Sequence, residues 1–189
     1  MPVYGYDKPF QTTPPGNWPS VCVDVEDLGI VDSERWGPQE KLVFTWLVKP
    51  KMDDGRHHMI SRWFTNSLGP KSHLGPFLRA WLGHPVEDVM DRTKDGSRRI
   101  DYEIFLGREG MLSCIQSDCG KYVNAESIGA MPDGMEVGID ASEYTRKQDR
   151  KGYETPDGVR KRDESAVLEV ASEISYPESD DGQDDDLPF

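Results

Sequence analysis

Hydrophobic and polar residues alternate over Val21, Cys22, Val23, Asp24, Val25 and Glu26, a period of two that predicts a strand with one polar face. Lys41 to Val48 is dense in β-branched and aromatic residues and is the strongest strand of the chain. Asp53-Asp54-Gly55 supplies turn chemistry, and His58 to Thr65 returns as a third strand, completing a meander. Between the first two strands, Gly29 to Glu40 reads as a loop bearing Arg35 and Trp36. The period then changes. Leu74, Phe77, Leu78, Trp81 and Leu82 fall on one helical face, with Pro76 in the first turn and Gly83 placed to cap the end. A second short helix is predicted over Val86 to Arg92, with Glu87 and Asp88 at its dipole-positive start. Tyr102 to Leu106, Met111 to Gln116 and Tyr122 to Ala130 supply further strands, the last two joined by a turn at Ser117-Asp118-Cys119-Gly120.

The expected fold class is therefore all-β with minor α. Three strands, a helix and two or three more strands give the order of a five-stranded OB-fold barrel with its helix between strands 3 and 4. Residues 1–19 hold five of the 14 prolines and read as an extended N-terminal arm, leaving residues 20–135 as the folded domain. Beyond it, mixed-charge patches separated by Gly and Pro make residues 136–179 a flexible linker, followed by an acidic segment at 180–189. A transient helix is expected over Ser165 to Ile174.

Charge changes the picture. The 189 residues carry 35 acids and 22 bases, a net −13, which taken globally discourages a nucleic-acid partner. Ten of those acids lie between Asp163 and Phe189, where there is no Lys or Arg, so the remaining 25 acids face all 22 bases and the body is near −3. A nearly neutral domain with a disordered acidic C-terminal tail follows. No apolar run approaches the roughly 20 residues of a membrane span. The N-terminus lacks the pattern of a secretory signal, so a cytoplasmic location is expected.

Enzyme templates find no match: there is no P-loop, G-x-G-x-x-G, H-E-x-x-H or G-x-S-x-G. The chain reads as a non-enzyme, and a metal-dependent nuclease lacks a ligand set. Cys22, Cys114 and Cys119 contain no C-x-x-C pair, and Cys114 and Cys119 with His57 and His58 fit no standard zinc spacing. Neither metal nor cofactor is expected. The stronger signal is aromatic residues interleaved with bases. Arg35, Lys49, Lys51, Arg56, Arg62, Arg98, Arg99 and Lys121 are candidate phosphate contacts, and Trp36, Trp63 and Tyr122 candidate stacking platforms. That combination binds single-stranded nucleic acid, the cations following phosphates and the rings stacking on unpaired bases.

The last six residues, Asp184-Asp185-Asp186-Leu187-Pro188-Phe189, offer a ring, a terminal carboxylate and steering acids, chemistry suited to a peptide presented to other proteins. This ending resembles the acidic tip of bacterial single-stranded DNA-binding proteins (SSB). A second resemblance spans roughly residues 20–135. Ile60-Ser61-Arg62-Trp63-Phe64-Thr65-Asn66-Ser67-Leu68, then Lys71-Ser72-His73-Leu74 and Phe77 to Gly83, is similar to a family of small phage proteins with an "I-S-x-x-Y/F-T-x-S-L" strand end, "K-S-x-L" and a helix with a central Trp. Its later Gly-Lys-Tyr and Pro-x-Gly elements are matched by Gly120-Lys121-Tyr122 and Pro132-Asp133-Gly134. These resemblances imply a phage single-stranded DNA-binding protein of the host cytoplasm, acting in DNA replication, recombination and repair. Its partners would be single-stranded DNA and the enzymes recruited through the tip. The body lacks the bacterial SSB pattern, so that family's homotetramer does not carry over and a homo-oligomer stays open. The alternative is an interaction protein that does not bind DNA, either a nucleic-acid mimic or a decoy offering an SSB-like tip. The near-neutral body disfavours mimicry.

Overall fold

The computed structural model describes residues 11–33, 37–69, 71–92, 98–152 and, for the backbone, 159–160. Five long strands form one antiparallel sheet in the order β3-β2-β1-β6-β7. They are β1 (Gly16–Ser33), β2 (Gly37–Lys51), β3 (His57–Thr65), β6 (Glu109–Gln116) and β7 (Val123–Gly129). Between β3 and β6 lie one helix, α1 (Leu74–Leu82), and a two-stranded sheet of β4 (Met90–Arg92) and β5 (Arg98–Ile100). A short strand β8 (Val159–Arg160) pairs with Ile30 and Val31 of β1.

The long first strand organises the sheet. Its start, Gly16 to Val21, pairs with β6, whereas Ser20 to Ser33 pairs with β2, so β1 serves two neighbours in turn. Register shifts between Cys22 and Asp24 and between Asp27 and Gly29 bend it, and Gly29 takes the positive φ of 69° that such an irregularity favours. The edges β3 and β7 are thereby curled toward each other, with no backbone ladder between them among the described residues. Side chains hold this seam: Arg62 of β3 donates from Nη1 to the carbonyl oxygens of Ala125, at 2.7 Å, and of Glu126 in β7. Its guanidinium also lies 4.9 Å from the Phe64 ring centroid and 5.2 Å from that of Phe77.

Inside the curve sit Leu42, Phe44, Trp46 and Val48 of β2, Ile60 and Phe64 of β3, and all five residues of the helical stripe, Leu74, Phe77, Leu78, Trp81 and Leu82. Gly83 caps α1 in the left-handed region, φ 78°, its N–H donating to the Arg79 carbonyl at 2.9 Å. Trp81 donates from Nε1 to the Glu109 carbonyl at 2.9 Å, fixing the helix against β6.

Several elements depart from the sequence expectation. Strand β1 begins at Gly16, inside the segment read as an arm, because residues 16–19 find a ladder partner in β6. The expected loop over residues 29–40 is mostly hairpin, with Gly29 to Ser33 paired with Lys41 to Gly37; its Asp, Ser, Gly and Pro cluster at the tip of arms longer than the apolar pattern. Val86–Val89 is a single 3-10 turn and not a helix reaching Arg92, since only Val86 is buried and no second apolar turn follows. Tyr102–Phe105 is likewise a 3-10 turn, capped by the Asp101 carboxylate accepting from the Glu103 N–H, where a strand was expected.

The largest difference follows β7. Residues 136–152, expected to be linker, are packed on the outer face of β1 as a strap. Val137 is buried against Val21 and Val23, with Met131, Ile139, Ala141 and Tyr144 beside them. The register shift between Cys22 and Asp24 breaks the expected alternation: Cys22 and Val25 face the main core, whereas Val21, Val23, Asp24 and Glu26 lie under the strap, and buried carboxylates demand partners. The Tyr144 hydroxyl donates to Asp24 Oδ2 at 3.0 Å and the Lys147 N–H donates to the same oxygen at 2.8 Å. Arg146 reaches Asp24 Oδ1 at 3.4 Å and grips both carboxylate oxygens of Glu103 at 2.8 Å. Lys147 Nζ meets Glu26 Oε2 at 2.6 Å. The expected transient helix over residues 165–174 and the acidic tip at 180–189 lie outside the described residues.

Candidate nucleic-acid interface

Strand β3 alternates strictly between core and solvent. Ile60 and Phe64 point inward, so His57, Met59, Ser61, Trp63 and Thr65 share the outer face. Two large apolar side chains stand open there, Trp63 at 53% and Met59 at 47% exposure. Nothing in the core accounts for leaving them in water.

These five residues line successive grooves. At one end, Trp63 and Thr65 border a cleft of about 510 Å³ with Lys41, Lys71 and His73. Lys41 is steadied over this face by donating to Gln39 Oε1 at 2.7 Å and Thr65 Oγ1 at 2.9 Å. In the middle, Ser61 and Trp63 face Asn124 and Glu126 across the seam in a cleft of about 320 Å³. At the far end, His57 and Met59 open into a groove of about 810 Å³ shared with Lys51, Arg56, Tyr144 and Arg150. Along the outer face of β3 these clefts follow one another as a track: the first two meet at Trp63, the third opens beyond Met59 with a lining of its own, and cations border the first and the last.

The expected contacts divide among these places. Lys51, Arg56 and Trp63 share the track. Lys49 is exposed near the end of β2. Arg56 pairs with Asp54 at 2.6 Å, and that hydrogen bond raises the pKa of its guanidinium further. Arg62 lines both clefts beside Trp63, but its guanidinium is held at the seam: it is half-buried and bonded to two carbonyls, its pKa lowered chiefly by burial. Arg98 and Arg99 stand on β5 beside a separate cleft with Asp27, Glu40 and Tyr102, which touches the Lys41 cleft only through Ser67. Lys121 and Tyr122 are exposed in the β6–β7 turn, Tyr122 at 65%. Arg35 and Trp36 lie outside the described residues.

Sequence reasoning missed Lys41, Lys71 and His73, which have no aromatic neighbour in sequence and gain one only by folding. It also missed Tyr144 and Arg150, whose mixed-charge surroundings read as linker. Among the described residues no cluster of His, Cys, Asp or Glu could hold a metal ion, and no helix is long and apolar enough to cross a membrane. In comparisons with family models, curated proteins and solved structures, nothing matches the chain. The geometry stands on its own chemistry.

Proposed function

We propose that the chain is a single-stranded DNA-binding protein built on an OB-type barrel, and that the outer face of β3 is where the strand lies. Three features support the OB reading. The order β3-β2-β1-β6-β7, the first strand shared between two neighbours, and the helix following the third strand are those of such a barrel, with the Arg62 seam in place of a closing ladder. The observation that carries the function is Trp63, an exposed indole at the centre of an open track flanked by Lys41 and Lys71 on one side and Lys51 and Arg56 on the other. A ring in that position stacks on an unpaired base, and the lysines meet phosphates on either side.

Burial of Asp24 and Glu26 favours this reading over a nucleic-acid mimic, because two carboxylates of the body are turned away from the surface and neutralised by the strap. The acidic tip, Asp184 to Phe189, then serves partner proteins of replication, recombination or repair, its ring and terminal carboxylate docking a basic pocket. The test is fluorescence anisotropy of labelled oligo-dT across a salt series, with a duplex competitor. Affinity that falls as salt rises, and that duplex competes poorly, supports the proposal. Equal affinity for duplex removes it. For the tail, loss of residues 180–189 abolishes capture of partner enzymes while leaving DNA affinity equal or higher; unchanged capture removes the role of the tip.

A further inference from the structure

Residues 131–152 do more than cover β1. At the His57 end of β3 they form one wall of the 810 Å³ groove, opposite the β2–β3 turn. We propose that this groove is a second subsite for the same single strand, so that the strap completes a binding surface which β3 alone leaves short. The inference rests on the single-stranded DNA reading of the β3 face.

Continuity is the first reason. Met59 is on the same face as Trp63, four residues along the strand and so about 13 Å away. A chain stacked on Trp63 and running toward Met59 enters this groove next. The second reason is the lining. Leu47, Met59 and the Tyr144 ring give apolar surface, and Lys51 and Arg150 give exposed cations. Arg150 sits 5.3 Å from the Tyr144 ring centroid and donates from Nε to the Thr145 carbonyl at 3.1 Å. Neither Lys51 nor Arg150 forms an ion pair among the described residues. The acids of the groove are occupied otherwise, Asp54 by Arg56 and Asp140 by the Ser142 N–H at 2.9 Å. An apolar floor with free cations at its rim suits a base and its phosphate.

The third reason is how the wall is held. Tyr144 supplies its ring to the groove and its hydroxyl to buried Asp24, and Arg146 and Lys147 anchor the backbone just before Arg150. The subsite is therefore set in place before any ligand arrives, which spares the ordering cost that a loose linker would carry.

The test compares the full chain with Arg150→Gln and with Trp63→Ala. The probes are oligo-dT of about 4 and about 16 nucleotides, the range of site sizes for one OB fold. Arg150 is exposed, and Arg150→Lys controls for folding by keeping its charge. Arg150→Gln binds the short probe as wild type does. On the long probe its salt slope falls by about 0.7, one lost phosphate contact, and Arg150→Lys restores it. An unchanged slope on the long probe, with Trp63→Ala weakened on both, overturns the subsite while the β3 reading stands. Equal losses on both probes also overturn it, because the groove would not then be a separate extension. A wild-type chain that binds neither probe at low salt removes the underlying reading.

Discussion

The carboxylate of Asp24, fully buried on β1, lies 3.4 Å from the guanidinium of Arg146, 122 residues later in the chain. This pair turns a stretch of mixed charge into a fixed strap. Replacing Arg146 by Met leaves Asp24 buried with its nearest cation gone, although the Tyr144 hydroxyl and the Lys147 N–H still reach it. The expected loss is about 3 kcal/mol, the scale for breaking a buried pair by deleting one partner. Urea denaturation reads it directly. A loss below about 1 kcal/mol would mean that the strap contributes little to the fold.

Arg62→Lys separates a structural role from a phosphate contact. A lysine cannot span the Ala125 and Glu126 carbonyls while keeping a planar cation against the Phe64 and Phe77 rings. We expect about 1–2 kcal/mol of destabilisation from the lost hydrogen bond and ring contacts. The salt slope of oligo-dT binding should stay unchanged. A slope reduced with stability intact would return Arg62 to the phosphate contacts.

The sequence pattern was most legible where one side of an element is wet and the other dry. The extent of β3 and the whole apolar stripe of α1 followed from the residue pattern, because solvent wets one side of each. The closing of the seam did not, since a cation on the inward side of β3 looks the same in sequence as one facing phosphate. The strap was hidden for a similar reason. Buried Asp24 and Glu26 resemble any polar strand face until a distant segment covers them, and Arg146 and Lys147 resemble solvated charges until they do so. Of the candidate site, Trp63 was singled out from its place beside Arg62 in sequence and stands exposed, while the gathering of Lys41, Lys71 and Arg150 along β3 depended on tertiary neighbours.

Gly110 of β6 lies directly under the Trp81 indole of α1 and the Ile128 side chain of β7. A Cβ there would stand 2.7 Å from both Trp81 Nε1 and Ile128 Cδ1. Gly110→Ala therefore forces α1 away from β6 and strains the Trp81 bond to Glu109. The expected cost is about 1–3 kcal/mol, read as a lower denaturation midpoint. A neutral result would show that the helix can shift without penalty.

Thiols and phenols give a pH signature. Burial pushes Cys114 up to about 11 and Tyr102 up to about 12, and raises Cys22 and Tyr144 further, Tyr144 helped by the Asp24 carboxylate. In the unfolded chain thiols ionise near 9.0 and phenols near 10.0, so above those values the unfolded state binds fewer protons than the folded one. Stability should be complete below about pH 9 and fall as pH rises from there toward about 12. A urea midpoint that stays flat across that range contradicts the assignment. Cys119 behaves oppositely: exposed, with its pKa lowered by the Ser117 hydrogen bond, it should be the thiol that reacts in the native protein. Titration with a thiol reagent should find one fast site of the three and the other two only after unfolding.

The central claim is that an unpaired base stacks on Trp63. Intrinsic tryptophan fluorescence of the full chain, titrated with oligo-dT at low salt and repeated with Trp63→Ala, tests it most directly. Wild type should show saturable quenching, and the variant should lose most of that signal together with about 1–3 kcal/mol of affinity. No quenching in wild type, or the same quenching and affinity in Trp63→Ala, would contradict the placement of single-stranded DNA on β3.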